Sequence, residues 1–162
     1  MSNAVLSIGS NDGDRAAHLA VAVEQLRPWL TAVSPVYRTP PWGPVRQPDY
    51  LNAVLLVADP AAAPADWLAR AQSAEQHAGR TREIRWGPRT LDVDVIAVDD
   101  TTSTDPTLLL PHPRAAERAF VLVPWLCVDS GARLGGARVV DLLEALPPED
   151  ILAVQMCGDV VL

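Results

Sequence analysis

The sequence predicts an α+β domain built on a mostly antiparallel sheet, and three observations carry that expectation. Short apolar runs at 5–8, 32–38, 50–58 and 91–98 have the length and partial alternation of strands. Helical spacing separates several of them, so strands and helices are interspersed along the chain. Gly135 and Gly136 sit inside 131–139 in the pattern of a tight hairpin. Helices between strands would also suit a parallel sheet, but short alternating strands and a hairpin favour an antiparallel one. The 162 residues suffice for one sizeable core, and one domain over 1–162 is expected.

The elements follow in order. Residues 5–8 form a strand ending at Gly9, and 10–13 form a turn. Asp14 caps a helix with Leu19, Val23, Leu26 and Leu30 on one stripe, ending near 28–30 because proline interrupts helical bonding. Residues 32–38 read as a strand with Pro35 marking an edge or bulge. Three prolines and a glycine in 39–44 make a stiff, shaped loop. A strand over 50–58 leads to a helix that starts at Pro64 and ends near Ala78, with Gly79 just beyond. The strand 91–98 and the polar loop 99–106 precede a helix around 115–126, tapered near Pro124. The hairpin follows, and Asp141 caps a last short helix to Leu146.

Composition excludes several function classes. The formal net charge of −7 argues against nucleic acid as a partner. No apolar run is long enough for a membrane span, and the start of the chain lacks the basic and apolar regions of a signal peptide. The chain contains no lysine, which excludes a P-loop and lysine Schiff-base chemistry. Cys127 and Cys157 lack paired spacing and read as two reduced, mostly buried thiols of a cytoplasmic protein. The negative total does not forbid an anionic substrate. Screening weakens interactions beyond about 8 Å at physiological salt, so nearby arginines outweigh distant carboxylates.

The most informative stretch is 85–96, Arg-Trp-Gly-Pro-Arg-Thr-Leu-Asp-Val-Asp-Val-Ile. The strand period of two puts Asp92 and Asp94 on one face, with Leu91, Val93 and Val95 on the other. Their backbone anchors lie roughly 6.6 Å apart, a spacing that lets both carboxylates converge on hard cations such as Mg²⁺. Arg80, Arg82, Arg85 and Arg89 stand just upstream. Each feature alone also suits a solvated surface, but a metal-type carboxylate pair beside four guanidinium groups describes a polyphosphate site. Tyr50 and Asn52 share a strand face. Asn52, with both donor and acceptor, either reads the polar edge of a heterocycle or ties down the proline loop. Phe120, the only phenylalanine, either packs in the core or stacks on a flat ring. His112, held between Pro111 and Pro113, is either structural, as a lone histidine usually is, or donates to a phosphate.

Four blocks resemble the 6-hydroxymethyl-7,8-dihydropterin pyrophosphokinase family. They are Ile8-Gly9-Ser10-Asn11 with Gly13-Asp14-Arg15; Tyr37-Arg38-Thr39-Pro40-Pro41-Trp42-Gly43 with Gln47-Pro48-Asp49-Tyr50-Leu51-Asn52; Gly79-Arg80 through Asp94; and Pro111-His112-Pro113-Arg114 with Glu117-Arg118-Ala119-Phe120. They cover 6–124 in the family's order, whereas the segment from about 127 onward carries no motif. The resemblance implies a ferredoxin-like α+β fold with mobile active-site loops. It also implies transfer of pyrophosphate from ATP to the pterin hydroxymethyl group, releasing AMP; a monomer is expected, in the cytoplasm that the thiols suggest. Asp92 and Asp94 match the ligands of two Mg²⁺ ions. Thr39, Pro40, Trp42, Tyr50, Asn52 and Phe120 match the pterin pocket, with Tyr50 and Phe120 sandwiching the ring. Glu75, Arg82, Arg85, Trp86, Arg89, His112 and Arg118 match positions around ATP. Arg80 and Arg89 are tied to the transfer step, and Asp94 is the nearest candidate for a general base, which stays unassigned.

Two other readings stay open on the sequence. One is a Mg²⁺-dependent phosphohydrolase using the same aspartates without a pterin. The other is a ferredoxin-like pterin- or nucleotide-binding module without turnover, against which the intact carboxylate pair and arginines argue.

Overall fold

The computed structural model describes residues 2–41, 43–79 and 90–162. Strand β1, Ser2–Ser10, lies inside a six-stranded sheet between β5, Asp92–Val98, and β4, Tyr50–Asp59. Beyond β4 come β2, Leu30–Val33, and β3, Tyr37–Thr39, which pair with successive parts of β4. A short β8, Gln155–Met156, closes the far side on β3. All these pairings are antiparallel. The connections β1–α1–β2 and β4–α2–β5 each return to a strand running the same way, with one strand inserted between. That interleaving of two split units is the ferredoxin-like arrangement.

The expected strand 32–38 is two strands, and Pro35 is the reason. Proline has no N–H for the ladder. Ser34, buried at the break, bridges the gap instead. Its Oγ accepts the Val54 N–H at 2.8 Å, and its own N–H donates to the Val54 carbonyl at 2.9 Å. Strand β1 runs to Ser10 rather than stopping at Gly9, because Gly9 and Ser10 pair with Asn52 and Leu51 of β4.

Helix α1, Arg15–Leu26, starts where Asp14 Oδ1 accepts the Ala17 N–H at 3.1 Å. Pro28 belongs to a following 3₁₀ turn, and Leu30 opens β2 instead of extending the helical stripe. Helix α2, Pro64–His77, starts and ends within one residue of expectation. Both helices pack on one sheet face, against Ala4, Leu6, Ile8, Leu51, Ala53, Leu55, Val57, Val93 and Val95. Fully buried Trp67 of α2 anchors that layer.

Helix α3, Ala119–Val128, covers the other face through Val121, Leu122 and Trp125, which pack with Val54 and Ile96. The helix expected over 115–126 is thus a 3₁₀ turn, Ala115–Glu117, followed by α3. Arg118 between them is extended, with φ −112° and ψ 98°, so the two cannot join. Pro124 sits inside α3 without ending it.

The hairpin forms between β6, Arg133–Leu134, and β7, Ala137–Arg138. Both turn glycines have positive φ, 59° and 85°, as a two-residue turn of this hand demands. Helix α4, Val139–Glu144, begins before Asp141, which lies in its first turn and is not its cap. A further helix α5, Pro148–Leu152, and β8 complete the chain, and neither was expected.

Candidate active site

Sheet register builds the site on the α3 face. Gly9 lies opposite both Asp92 of β5 and Asn52 of β4, and Asn52 lies opposite Tyr37 of β3. Ser7 lies opposite Asp94 and Val54 in the adjacent row. Val93 and Val95 point into the α1–α2 core, so Asp92 and Asp94 share the opposite face, as the strand period requires. Two strand spacings separate Asp92 from Asn52, about 10 Å between their backbones. The sheet therefore offers a carboxylate end and an amide end.

Gly9 separates those two ends, and its reason for being glycine is space. A Cβ there would stand 2.8 Å from Asn52 Oδ1 and 3.5 Å from the Tyr50 ring. The Asn52 side chain thus lies across the surface of β1. Its Nδ2 donates to Thr39 Oγ1 at 2.7 Å, so Asn52 does tie down the residue that opens the proline loop. That contact uses one amide hydrogen at one end of the side chain. A glycine inside a strand signals such a close approach, but this sequence reads it first as a turn.

The carboxylate end meets Arg118 and His112. Arg118 Nη1 lies 3.8 Å from Asp94 Oδ2, and its guanidinium carbon lies 5.6 Å from the Phe120 ring centroid. The extended Arg118 backbone that breaks the helix thus carries a cation between Asp94 and the aromatic side of the site. His112 is docked on β5 by its backbone, donating to the Ile96 carbonyl at 2.8 Å. Its Nδ1 accepts the Arg114 N–H at 3.2 Å, which leaves Nε2 as the protonated nitrogen of the neutral ring. Burial holds the imidazole below its ordinary value. The Asp94 charge opposes that shift, while Arg118 and Arg114 add to it.

This lowering has a consequence for stability. The folded state binds the His112 proton less readily than the unfolded chain, so stability falls as pH drops through the ordinary value of 6.5. Melting temperatures taken from about pH 7.5 to about pH 5.5 should fall more in the wild type than in His112→Gln. Equal slopes would show that the His112 environment makes no such difference.

A cavity of about 100 Å³ opens beside this face, lined by Thr39, Pro40, Pro41, Glu117, Arg118, Ala119 and Phe120, with Asp150, Ala153 and Val154 from the α5 region. It brings together Thr39, Pro40 and Phe120, all expected in a pterin pocket, with Arg118. The walls from α5 carry no recognisable signal in the sequence. The turn after β1 holds the segment leading into Tyr50. Asn11 Nδ2 donates to Gln47 Oε1 at 2.8 Å and to the Pro48 carbonyl at 3.0 Å, and Arg15 Nη1 donates to the Asp49 carbonyl at 2.9 Å.

Other expected residues fall differently. Glu75 is buried on α2, where Oε2 accepts the Val93 N–H at 3.0 Å. Trp42, Arg80, Arg82, Arg85, Trp86 and Arg89 lie outside the described residues. The thiols are not mostly buried: Cys127 is exposed in the last turn of α3, and Cys157 is half-buried. Cys127 Sγ and Tyr37 Oη lie 2.7 Å apart, and burial first, then the Cys127 contact, raises the Tyr37 pKa above its ordinary value.

Do the residues fit a divalent metal? Among the described residues no three His, Cys, Asp or Glu side chains converge as a closed cage. Two same-face carboxylates instead give hard oxygen ligands, with the Asp94 side chain 43% exposed to solvent. That is the donor set Mg²⁺ takes when it is shared with a nucleotide.

A ferredoxin-like sheet with two same-face aspartates beside an arginine and a histidine suits an enzyme of phosphate chemistry. The model of the 7,8-dihydro-6-hydroxymethylpterin-pyrophosphokinase (HPPK) family matches residues 5–130, and the chain belongs to that family. The 2-amino-4-hydroxy-6-hydroxymethyldihydropteridine pyrophosphokinase of Mycobacterium bovis is 48% identical over 163 residues, covering 93% of this chain and 87% of the relative. The protein of the same name from Methylorubrum extorquens is 43% identical, covering 96% of this chain and all of the relative. Among solved structures, wild-type HPPK-DHPS of Plasmodium falciparum with pteroate superposes with a TM-score of 0.67 at 12% identity. This chain covers 44% of that longer protein, and 88% of this chain is matched. No helix among the described residues is long and apolar enough to cross a membrane.

Proposed function

We infer that this chain transfers pyrophosphate from ATP to the hydroxymethyl group of 6-hydroxymethyl-7,8-dihydropterin, a step of folate biosynthesis. The observation that carries the reading is the row Asp92–Gly9–Asn52, which sets a metal-type carboxylate pair two strands from a buried amide. The family, whose members are named for this reaction, supports it. The pterin hydroxyl oxygen bonds to the β-phosphorus of ATP, the bond from that phosphorus to the α–β bridging oxygen breaks, and AMP leaves with that oxygen. The hydroxyl proton passes to an acceptor we leave unassigned.

Such transfer asks the protein mainly for positioning and charge. Asp92 and Asp94 would hold Mg²⁺, two ions in our reading, which when bound neutralises phosphate charge and orients the reacting oxygens. Arg118 and neutral His112 supply donors to phosphate oxygens from the same side. Arg80 and Arg89 are assigned to charge that builds during transfer, and Glu75, Arg82, Arg85 and Trp86 to the nucleotide side. Thr39, Pro40, Trp42, Tyr50, Asn52 and Phe120 form the pterin pocket, Tyr50 and Phe120 stacking on the ring. The chain acts as one domain and as a monomer in the cytoplasm.

Turnover of ATP with Mg²⁺, with and without the pterin, tests the reading. AMP should form only with pterin present. Inorganic phosphate without pterin would indicate the phosphohydrolase, and pterin binding without AMP would indicate a binding module. Within the pocket, Phe120→Ala and Asn52→Ala should each weaken pterin binding by roughly tenfold or more, since stacking contributes about 0.5–1.5 kcal/mol beyond burial and an unpaired buried polar group costs about 1–3 kcal/mol. Affinity for a non-hydrolysable ATP analogue should change little. If Asn52→Ala lowered only thermal stability, its bond to Thr39 would be its whole role.

A further inference from the structure

Among the described residues strand β5 is an edge of the sheet, yet it carries the two aspartates. An edge strand has backbone groups that face away from its one neighbour and need other partners. Asp92 and Asp94 stand opposite Gly9 and Ser7 of β1. The N–H of Val93, between them, points outward to Glu75 Oε2 at 3.0 Å. Farther along the same edge, the Ile96 carbonyl takes the His112 N–H at 2.8 Å. Among the described residues two latches therefore hold β5 from outside, one directly between the aspartates.

Glu75 is an expensive way to make such a latch. It is 9% exposed, next to Ala71, Ala74 and Trp67 on the buried face of α2. Burying a carboxylate costs free energy unless strong hydrogen bonds offset it. A charge-assisted bond to a backbone N–H is short, strong and directional. On the reading that Asp92 and Asp94 hold Mg²⁺, a fixed Val93 fixes the two Cα positions on either side of it.

We propose that Glu75 is a positioning residue for the carboxylate pair, acting through the Val93 N–H to set the separation and facing of Asp92 and Asp94. This role rests on the pyrophosphokinase reading and refines the placing of Glu75 around ATP, because the carboxylate reaches the metal ligands through backbone.

Glu75→Ala and Glu75→Gln in the full chain test it. The Gln amide oxygen can still accept the Val93 N–H without the charge. In Glu75→Ala, exchange of the Val93 amide, followed by NMR without metal or nucleotide, should quicken at least tenfold, while the Ile8 amide in β1 is unchanged. The Mg²⁺ concentration for half-maximal transfer should rise at least tenfold, by a larger factor than the KM for ATP. Glu75→Gln should restore both to within threefold of wild type. If Glu75→Ala fails to fold, the wild-type Val93 amide decides, since it must be protected although it faces off the sheet edge; rapid exchange there overturns the role. Normal exchange and Mg²⁺ dependence in a folded Glu75→Ala also overturn it. So does Glu75→Gln as defective as Glu75→Ala with tenfold weaker binding of a non-hydrolysable ATP analogue. Failure of the wild type to form AMP would instead overturn the reaction reading and leave the Val93 protection to be judged alone.

Discussion

Asp94→Ala should abolish pyrophosphate transfer while leaving the protein folded. Asp94 shares its sheet face with Asp92 and lies 3.8 Å from Arg118, and its charge is felt at His112. On the proposed reading, removing it takes away a metal ligand and the counter-charge of the arginine together. Losing a metal ligand costs several kcal/mol of transition-state stabilisation, on the order of a thousandfold in rate or more. Folding should hardly notice, because the side chain is 43% exposed and its ion pair with Arg118 is solvent-screened. Single-turnover measurement with saturating Mg²⁺, beside a melting curve, separates the two effects. Near wild-type turnover would remove Asp94 from the metal site. A collapse in melting temperature would show the residue to be structural.

The second large effect is on stability. Trp67→Ala should cost about 3–5 kcal/mol, the usual range for emptying a buried tryptophan site. Trp67 is fully buried between α2 and the sheet, and its Nε1 donates to Ser2 Oγ at 2.7 Å. Its ring meets Trp29 edge to face at 6.2 Å, and the Arg70 guanidinium carbon stands 4.7 Å from its centroid and 3.8 Å from that of Trp29. Arg70 is held in turn by Asp59 at 2.8 Å. The substitution therefore opens a cavity and loosens a cation that links β4 to α2. Chemical denaturation should show the loss, with a melting temperature lower by on the order of 10 °C. A change below about 1 kcal/mol would mean that the layer repacks around the gap.

The carboxylate pair was legible because it depends only on strand period, which is local. Asn52 and Tyr50 were legible on a shared face for the same reason, whereas Pro35 was read as an edge or bulge within one strand and instead separates two. Gly9 was not legible. Its role comes from lying between Asn52 and Asp92, 43 and 83 residues away along the chain, and only register across three strands shows it. Glu75 was expected only as a position around ATP, and the strand N–H that its carboxylate accepts is likewise distant in sequence. Helix α5 and β8 were missed because their segment is short and without motif; β8 owes its form to pairing with β3. The break at Arg118 escaped because helical periodicity carries across one extended residue unmarked.

On the proposed reading ATP is cleaved between its α and β phosphates, with the terminal pair passing to the pterin. ATP labelled on the α-phosphate, incubated with the protein, Mg²⁺ and 6-hydroxymethyl-7,8-dihydropterin, tests it most directly. The label should appear in AMP, one AMP for each pterin consumed, and no label should leave ATP when the pterin is withheld. Label in ADP, or AMP formed at the same rate without pterin, would contradict the claim.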